Sequence, residues 1–517
     1  MNGGKGFSVS GVRDAPGPFL TRQLIAYIGN KRRLLPFLRE TIGSLPGAGE
    51  GRAFLDPFAG SGSVSRLAKV MGFAAHANDW EFYSWVINTC YLAIDLRESE
   101  MLFPDKGGMT GAFALLRDAP PAEDPYISRF YAPAVTASAD YRRERLFYTA
   151  ENALFIDSVR EQIENWYPGW DLDPRGLKEK CVLTASLLYE AATHANTSGV
   201  FKACHKGFGG HGGDALGRIL SPMELEQPFL VNGAAPCSAS LKEAEEFVKG
   251  RPARICYLDP PYNCHQYGSN YFMLNTIARW DKPAVNMERG KDGRFREKAA
   301  IRKDWTDTRS AYCYNSAAAD AFAGLLNVVD AEHILVSYNT EGIIPFEQMA
   351  DMLAAGGELG VRSSDYVKYR GGRQSLTRKV HNMELLFLLR RGKGYGKGTG
   401  EKEEGGAREI LQLEIRRIKL EHEILSLSRE AFHPGRVREL FAVKGPSIQL
   451  TGGNCPGFEA SMRHFHRFET FPVREELACF SVEELLALDK NLKACRCEDR
   501  KEEADLLLRL LETAGGD

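Results

Sequence analysis

Long hydrophobic runs are missing from this chain of 517 residues. Without about 18 consecutive apolar residues no helix spans a bilayer. Met1 to Gly17 carries Gly and Pro instead of the apolar centre of a signal peptide, so no membrane partner is expected and the expected location is the cytoplasm. A strong net charge is missing too: 66 Lys+Arg stand against 68 Asp+Glu, a formal net charge of −2. A polyanion must therefore be held by local cation clusters, not by the field of the whole molecule. The 11 cysteines lack paired metal-ligand spacing; Cys455 and Cys495-Arg496-Cys497 make no zinc array. No metal is expected, and such thiols in a large cytosolic protein stay reduced.

The length corresponds to roughly three domains. Ala53 to Leu55 reads as a buried strand, Ser63 to Met71 as the helix after a glycine turn, and Ala74 to Ala77 as a second strand ending at Asn78-Asp79, together a βαβ unit. From about Asp95 to Lys249 the pattern loosens, with Leu177 to His194 its best helix, and the stretch reads as an inserted module. Strand signals return at Ile255 to Leu258, His333 to Ser337 and Glu384 to Leu389. Gly392 to Gly406 has a solvated linker composition. Beyond it, Arg408 to Ala431 repeats apolar residues at helical spacing, and Val482 to Leu488 and Ala504 to Leu511 continue helix signals, so a small helical domain is expected. Its charged residues are compatible with a solvated face, with dimerisation or with DNA contact. The expected fold is α/β, with divisions at 20–95 and 250–392 for two parts of one core, 96–249 for the module, 393–407 for the linker and 408–517 for the helical tail.

Two motifs carry chemistry. Tyr257-Leu258-Asp259-Pro260-Pro261-Tyr262 puts a carboxylate, a prolyl carbonyl and an aromatic face at a strand end. That combination suits a flat base with an exocyclic amine, whose lone pair is delocalised into the ring. Asp259 accepting one N–H and the Pro260 carbonyl the other would localise that pair and stabilise the charge that grows on nitrogen. The two prolines fix φ and remove competing donors, and Tyr262 could stack on the base, with Tyr267 a second candidate face. Upstream, Phe54-Leu55-Asp56-Pro57-Phe58-Ala59-Gly60-Ser61-Gly62 is a strand running into a glycine turn, where Gly60 and Gly62 allow close approach of a ligand. Asp79, 17 residues after Gly62, stands where an acid would meet ribose hydroxyls, or it is an ordinary strand-end cap.

With Tyr27-Ile28-Gly29-Asn30-Lys31, Asp56 to Gly62 and Asp259 to Tyr262 in that order, residues 20–392 resemble the adenine-specific DNA methyltransferases of the Dam-like group, and Asn263 to Tyr267 and Ser337 to Gly342 resemble its type IIS restriction-modification branch. The resemblance implies a Rossmann-like methyltransferase sheet with a target-recognition module before DPPY, S-adenosyl-L-methionine as cofactor, and duplex DNA whose target adenine is flipped out. It implies cofactor contacts at Tyr27, Gly29, Lys31, Asp56, Pro57, Phe58, Gly60, Ser61, Gly62, Asp79 and Asp259. A cognate restriction endonuclease is the candidate partner. Asn196 to Phe201, running to Gly209, resembles the family hairpin that touches DNA, so Asn196, Lys202 and Lys206 join Tyr267 as nucleic-acid candidates; a mobile polar loop is the other reading. Arg370, Arg373 and Arg378 form a basic cluster suited to phosphates or to a solvated hairpin.

One departure stands out: the family's acid for the cofactor adenine is absent from the strand neighbourhood Cys237-Ser238-Ala239-Ser240. Pro236-Cys237 lacks the Glu-Asn-Val partner of cytosine carbon-5 enzymes. Methylation of RNA adenine or a protein glutamine is the alternative reaction, against which Asp259 argues because the related motif there usually begins with Asn. A DNA-binding scaffold without catalysis would need neither Asp259 nor the glycine turn.

Overall fold

The computed structural model describes residues 17–210, 213, 215–339, 342–367 and 381–391, with three short strands further on. The chain divides into two compact units, 1–331 with 370–374, and 332–369 with 375–517.

In the first unit, β1 (Ala53–Asp56), β2 (Ala74–Asp79), β3 (Ser238–Leu241) and β4 (Ala253–Leu258) lie parallel in the order β3-β2-β1-β4. The chain runs outward from β1 to β3 and then returns to the other side of β1. The direction of winding therefore reverses between β1 and β4, and a crevice opens outside their carboxyl ends. β3 falls inside the range expected for the module, 96–249, yet it is a strand of the sheet paired through Ala239 to Ala77. Its short Ser-Ala-Ser-Leu run has no apolar core signature, because it is an edge strand left half-exposed.

Helices cover this sheet. Phe82–Leu92 is buried along nearly its whole surface and packs on Pro174–Thr193, whose first turn has Pro174 in place and the Asp173 carboxylate accepting the Arg175 and Gly176 amides. The helix Ala150–Trp166 escapes the sequence reading, for a physical reason: it buries charge. Asp157 accepts the amides of Tyr126, Ile127 and Ser128, and Arg160 donates to the Ile277 and Ala278 carbonyls. Satisfied polar groups in the core interrupt the apolar period that marks a helix.

Ser63–Val70 follows the glycine turn and carries two buried cations. Arg66 donates to the carbonyls of Phe19, Arg22 and Gln23, with its guanidinium 3.4 Å from the Tyr91 ring centroid. Lys69 bonds the Tyr91, Leu92 and Ile94 carbonyls and pairs with Asp95 at 2.9 Å. This helix therefore holds the segment that leads into Tyr27.

In the second unit, β5 (Ala331–Asn339) and β6 (Glu358–Val367) each pair antiparallel with β7 (His381–Arg390). Leu385, Leu386 and Phe387 are buried in succession, as are Ile334, Leu335 and Val336, which is the signature of strands covered on both faces. Within 408–517 the described residues are β8 (Phe441–Lys444), β9 (Ser447–Leu450) and β10 (Cys479–Ser481), an antiparallel sheet in the order β10-β9-β8. A small helical domain is expected in this range, and the described residues within it are strands, with Phe441-Ala442-Val443 and Ile448 as strand formers flanking Gly445-Pro446. The linker, the three tail helices and Arg370, Arg373 and Arg378 lie outside the described residues. No described helix is long and apolar enough to cross a membrane.

Arg66→Ala leaves two buried carbonyls and a part-buried one without this donor. It is expected to lower unfolding free energy by about 3 kcal/mol, read from urea denaturation; a loss under about 0.5 kcal/mol would mean the segment Phe19 to Gln23 is held by other contacts.

Candidate active site

Both motifs end at the crevice between β1 and β4. Pro57 and Phe58 from the end of β1, Asp79 from the end of β2, and Asp259, Pro260, Pro261 and Tyr262 from the end of β4 line one cavity. Tyr27, Ile28 and Gly29 close it from the N-terminal segment, and Thr308 to Tyr312 form the wall opposite.

The glycine turn is required by space as well as by conformation. Gly62, at φ +78°, precedes the helix Ser63–Val70, and a Cβ there would sit 2.3 Å from the Asn88 side-chain oxygen. At Gly60, φ +51°, it would meet the Tyr27 ring at 2.7 Å. Glycine lets the turn, the first helix and the Tyr27 segment occupy one small volume. Gly60 donates its amide to Asp79 Oδ2 at 2.8 Å, and Glu81 donates to Oδ1 at 3.0 Å. Burial raises the Asp79 carboxyl above its ordinary range.

Asn78, in the sequence no more than part of a strand end, joins three strand ends. Its amide group donates to the Pro57 and Lys242 carbonyls at 3.3 and 2.9 Å, while its oxygen accepts the Lys242 amide at 3.0 Å. A buried amide satisfied on both sides gives the crevice fixed edges. Past Lys242, Glu243, Ala244 and Glu245 also line the cavity. Just beyond the strand that lacks the family's acid, Glu243 thus offers a carboxyl near Tyr312, whose hydroxyl is raised by burial with Glu245 and Glu243 adding to it. Tyr312 meets Phe58 edge-on at 5.2 Å.

The N-terminal segment is pinned by tyrosines. Tyr27 stacks on Tyr271 at 4.8 Å and lies 5.2 Å from Tyr267. The Tyr267 hydroxyl donates to the Ile28 carbonyl, and the Ile28 amide donates to the Tyr271 hydroxyl. Tyr267, expected as a second face for a base, therefore positions the Tyr27 to Lys31 segment, although it reaches the cavity wall. Lys31, expected to touch the cofactor, has Nζ 3.1 Å from Asp259 Oδ1 and 5.3 Å from the Tyr262 ring centroid. Its side chain is 3% exposed against 17% for Asp259, so this is an ion pair at the cavity floor with little water to screen it.

Other expected residues stand elsewhere. Asp56 is buried behind the cavity wall, where Ser65 donates to its Oδ2 at 2.6 Å, while Oδ1 has no hydrogen-bond partner. Burial pushes its carboxyl up to about 7, opposed by the Ser65 hydrogen bond. Gly60, Ser61 and Gly62 likewise shape the turn without lining the cavity. Glu81, which the sequence does not single out, does line it; burial and then the nearby Asp79 raise it to about 7, and Asn275 donates to it at 2.6 Å. Asn196, expected among the nucleic-acid contacts, lies inside. It is fully buried and donates to the Leu146 and Gly207 carbonyls, so its side chain holds the loop. Lys202 and Lys206 are exposed on that loop.

A Rossmann-like α/β sheet with its cavity at the switch point and an acid-Pro-Pro-Tyr strand end defines an amino methyltransferase. Residues 27–328 match the D12 class N6 adenine-specific DNA methyltransferase family, and the chain belongs to it. The type II methyltransferase M.NlaIII of Neisseria lactamica is 30% identical over 368 residues, covering 70% of this chain and 97% of that protein. The modification methylase LlaI of Lactococcus lactis subsp. lactis is 30% identical over 70% of this chain and 54% of its own length. M.FokI of Planomicrobium okeanokoites is 24% identical over 71% of this chain and 52% of its own.

A carboxyl whose pKa rises on folding takes up a proton as the chain folds, so its contribution is present below the ordinary carboxylate range and lost as pH rises towards about 7. Asp56→Asn copies the protonated form. Its unfolding free energy should fall less than the wild type's between pH 5 and 7, by about 2 kcal/mol; identical slopes in denaturant titrations would show Asp56 to be ionised in the folded protein.

Proposed function

We propose that this methyltransferase moves a methyl group from S-adenosyl-L-methionine to the exocyclic nitrogen of an adenine flipped out of a specific duplex site, acting in the cytoplasm as the modification partner of a restriction endonuclease. The observation that carries this reading is the single cavity that holds Asp259-Pro260-Pro261-Tyr262 together with Phe58, Asp79 and Glu243. The cofactor fits the donor set: Glu243 beside Tyr312 and Phe58 suits an adenine, Asp79 a ribose diol, and the Gly29 side an amino acid moiety. Bound there, S-adenosyl-L-methionine supplies an electrophilic methyl on a sulfonium.

The chain's own residues do the rest. Lys31 fixes one oxygen of Asp259. Asp259 and the Pro260 carbonyl accept the two N–H bonds of the target amine, drawing its lone pair out of the ring and stabilising the positive charge that develops on nitrogen. The Tyr262 face offsets stacking lost on flipping, about 1–3 kcal/mol per base. The names of the relatives, type II methyltransferases and modification methylases, support the restriction-modification setting.

Incubation with labelled S-adenosyl-L-methionine and mixed-sequence duplex should give labelled N6-methyladenine at one short motif. Asp259→Ala should lower turnover by about 10² or more while calorimetry still shows cofactor binding; full turnover in that variant would remove Asp259 from the chemistry. Glu243→Ala should weaken the cofactor about tenfold, and unchanged affinity would reject its place at the adenine.

A further inference from the structure

Residues 286–298 form a hairpin closed by the bridge between Arg289 and Phe295. Five cations stand in it against three carboxylates. All five, Arg289, Lys291, Arg294, Arg296 and Lys298, are exposed. A polar hairpin of this kind would ordinarily be mobile. Here it is anchored from beneath by Arg145, which is 2% exposed and donates to the Asn286, Glu297 and Lys298 carbonyls at 2.9–3.1 Å. Arg145 also lies 4.0 Å from the Phe295 ring centroid, whose other neighbour Arg289 is at 4.2 Å and donates to the Arg143 carbonyl. The charges are thus presented in a fixed arrangement, which lowers the ordering cost of binding.

The cations continue towards the active site. The Tyr141 phenol is held below its ordinary pKa by a hydrogen bond with Arg142, and Lys206 and Arg294 both add to the effect. Lys206 Nζ lies 5.8 Å from the Tyr141 ring centroid. Lys202 is exposed on the same loop. Around Tyr141 a basic track therefore joins the hairpin to the loop of Lys202 and Lys206.

We propose that the 286–298 hairpin is a phosphate-binding surface for duplex DNA, continued by the loop of Lys202 and Lys206, so that the backbone flanking the target base is gripped by Lys291, Arg294 and Lys298. This rests on the DNA-methylation reading. A chain of nearly balanced charge has to concentrate its cations where the polyanion lies, and phosphate contacts set register without reading sequence.

The test is Lys291→Gln/Arg294→Gln/Lys298→Gln in the full chain, with fluorescence anisotropy of a labelled duplex across a salt series. Arg117→Gln/Lys249→Gln, two exposed cations outside the track, serves as the charge control. The expected result is a dissociation constant raised about tenfold near 0.15 M salt and a salt slope reduced by about 0.9 for each phosphate that is no longer neutralised. Cofactor affinity by calorimetry should stay unchanged, and the control should keep the wild-type slope. Wild-type affinity and slope in the triple variant, or an equal loss in the control, would overturn the surface while leaving the reaction intact. A wild-type protein that neither binds duplex nor methylates it would overturn the functional reading itself.

Discussion

The ion pair between Lys31 and Asp259 is the constraint on which the active site turns. It joins the N-terminal segment to the end of β4 across the point where the winding of the sheet reverses. A buried cation against a half-buried carboxylate is stable only when both are held in place, and the surroundings supply that hold. Tyr267 and Tyr271 bond the backbone of Ile28, Tyr27 stacks among them, and Arg66 fixes the chain a few residues earlier. The tyrosine cluster, the two buried cations of the helix Ser63–Val70 and the glycine turn serve one geometry: a carboxylate fixed at the cavity.

Carboxyl groups crowd the crevice and the wall behind it, and their differing environments give them different work. Asp56 and Glu81 are buried enough for their pKa values to approach neutrality, so they act as hydrogen-bonding parts of the framework. Asp79 is committed to the Gly60 and Glu81 amides and still reaches the cavity. Asp259 has a buried ammonium as its direct partner, at the end of the strand where an amine would arrive. Asn78 ties the ends of β1, β2 and β3 through one amide, which sets the width of the crevice these acids share.

Much of this is legible in the residues, because glycine turns and acid-Pro-Pro-Tyr strand ends are local devices with few other uses. Asp259, Pro260, Tyr262, Pro57, Phe58 and Asp79 stand out in that way and do line one cavity. The burial of Asn196 is not legible, since its polar side chain looks like a surface group and its hydrogen bonds to Leu146 and Gly207 exist only once the loop is folded. Glu243 escapes notice because β3 is too short and too polar to announce its end. The buried ions of Ala150–Trp166 hide that helix for the related reason that charges are read as solvent-facing until their partners are seen.

The sequence by itself determined the parallel core, the order of its motifs and the acid-Pro-Pro-Tyr strand end, since each depends on residues close together in the chain. Only the tertiary structure decided that Lys31 faces Asp259, that Glu243 lines the cavity beyond β3 and that Asp56 stands behind the wall. It likewise decided that the cations of 286–298 stand on Arg145. Those relations join residues up to more than 200 positions apart, and which side chains lose their water and to whom they bond is settled by packing and not by local pattern.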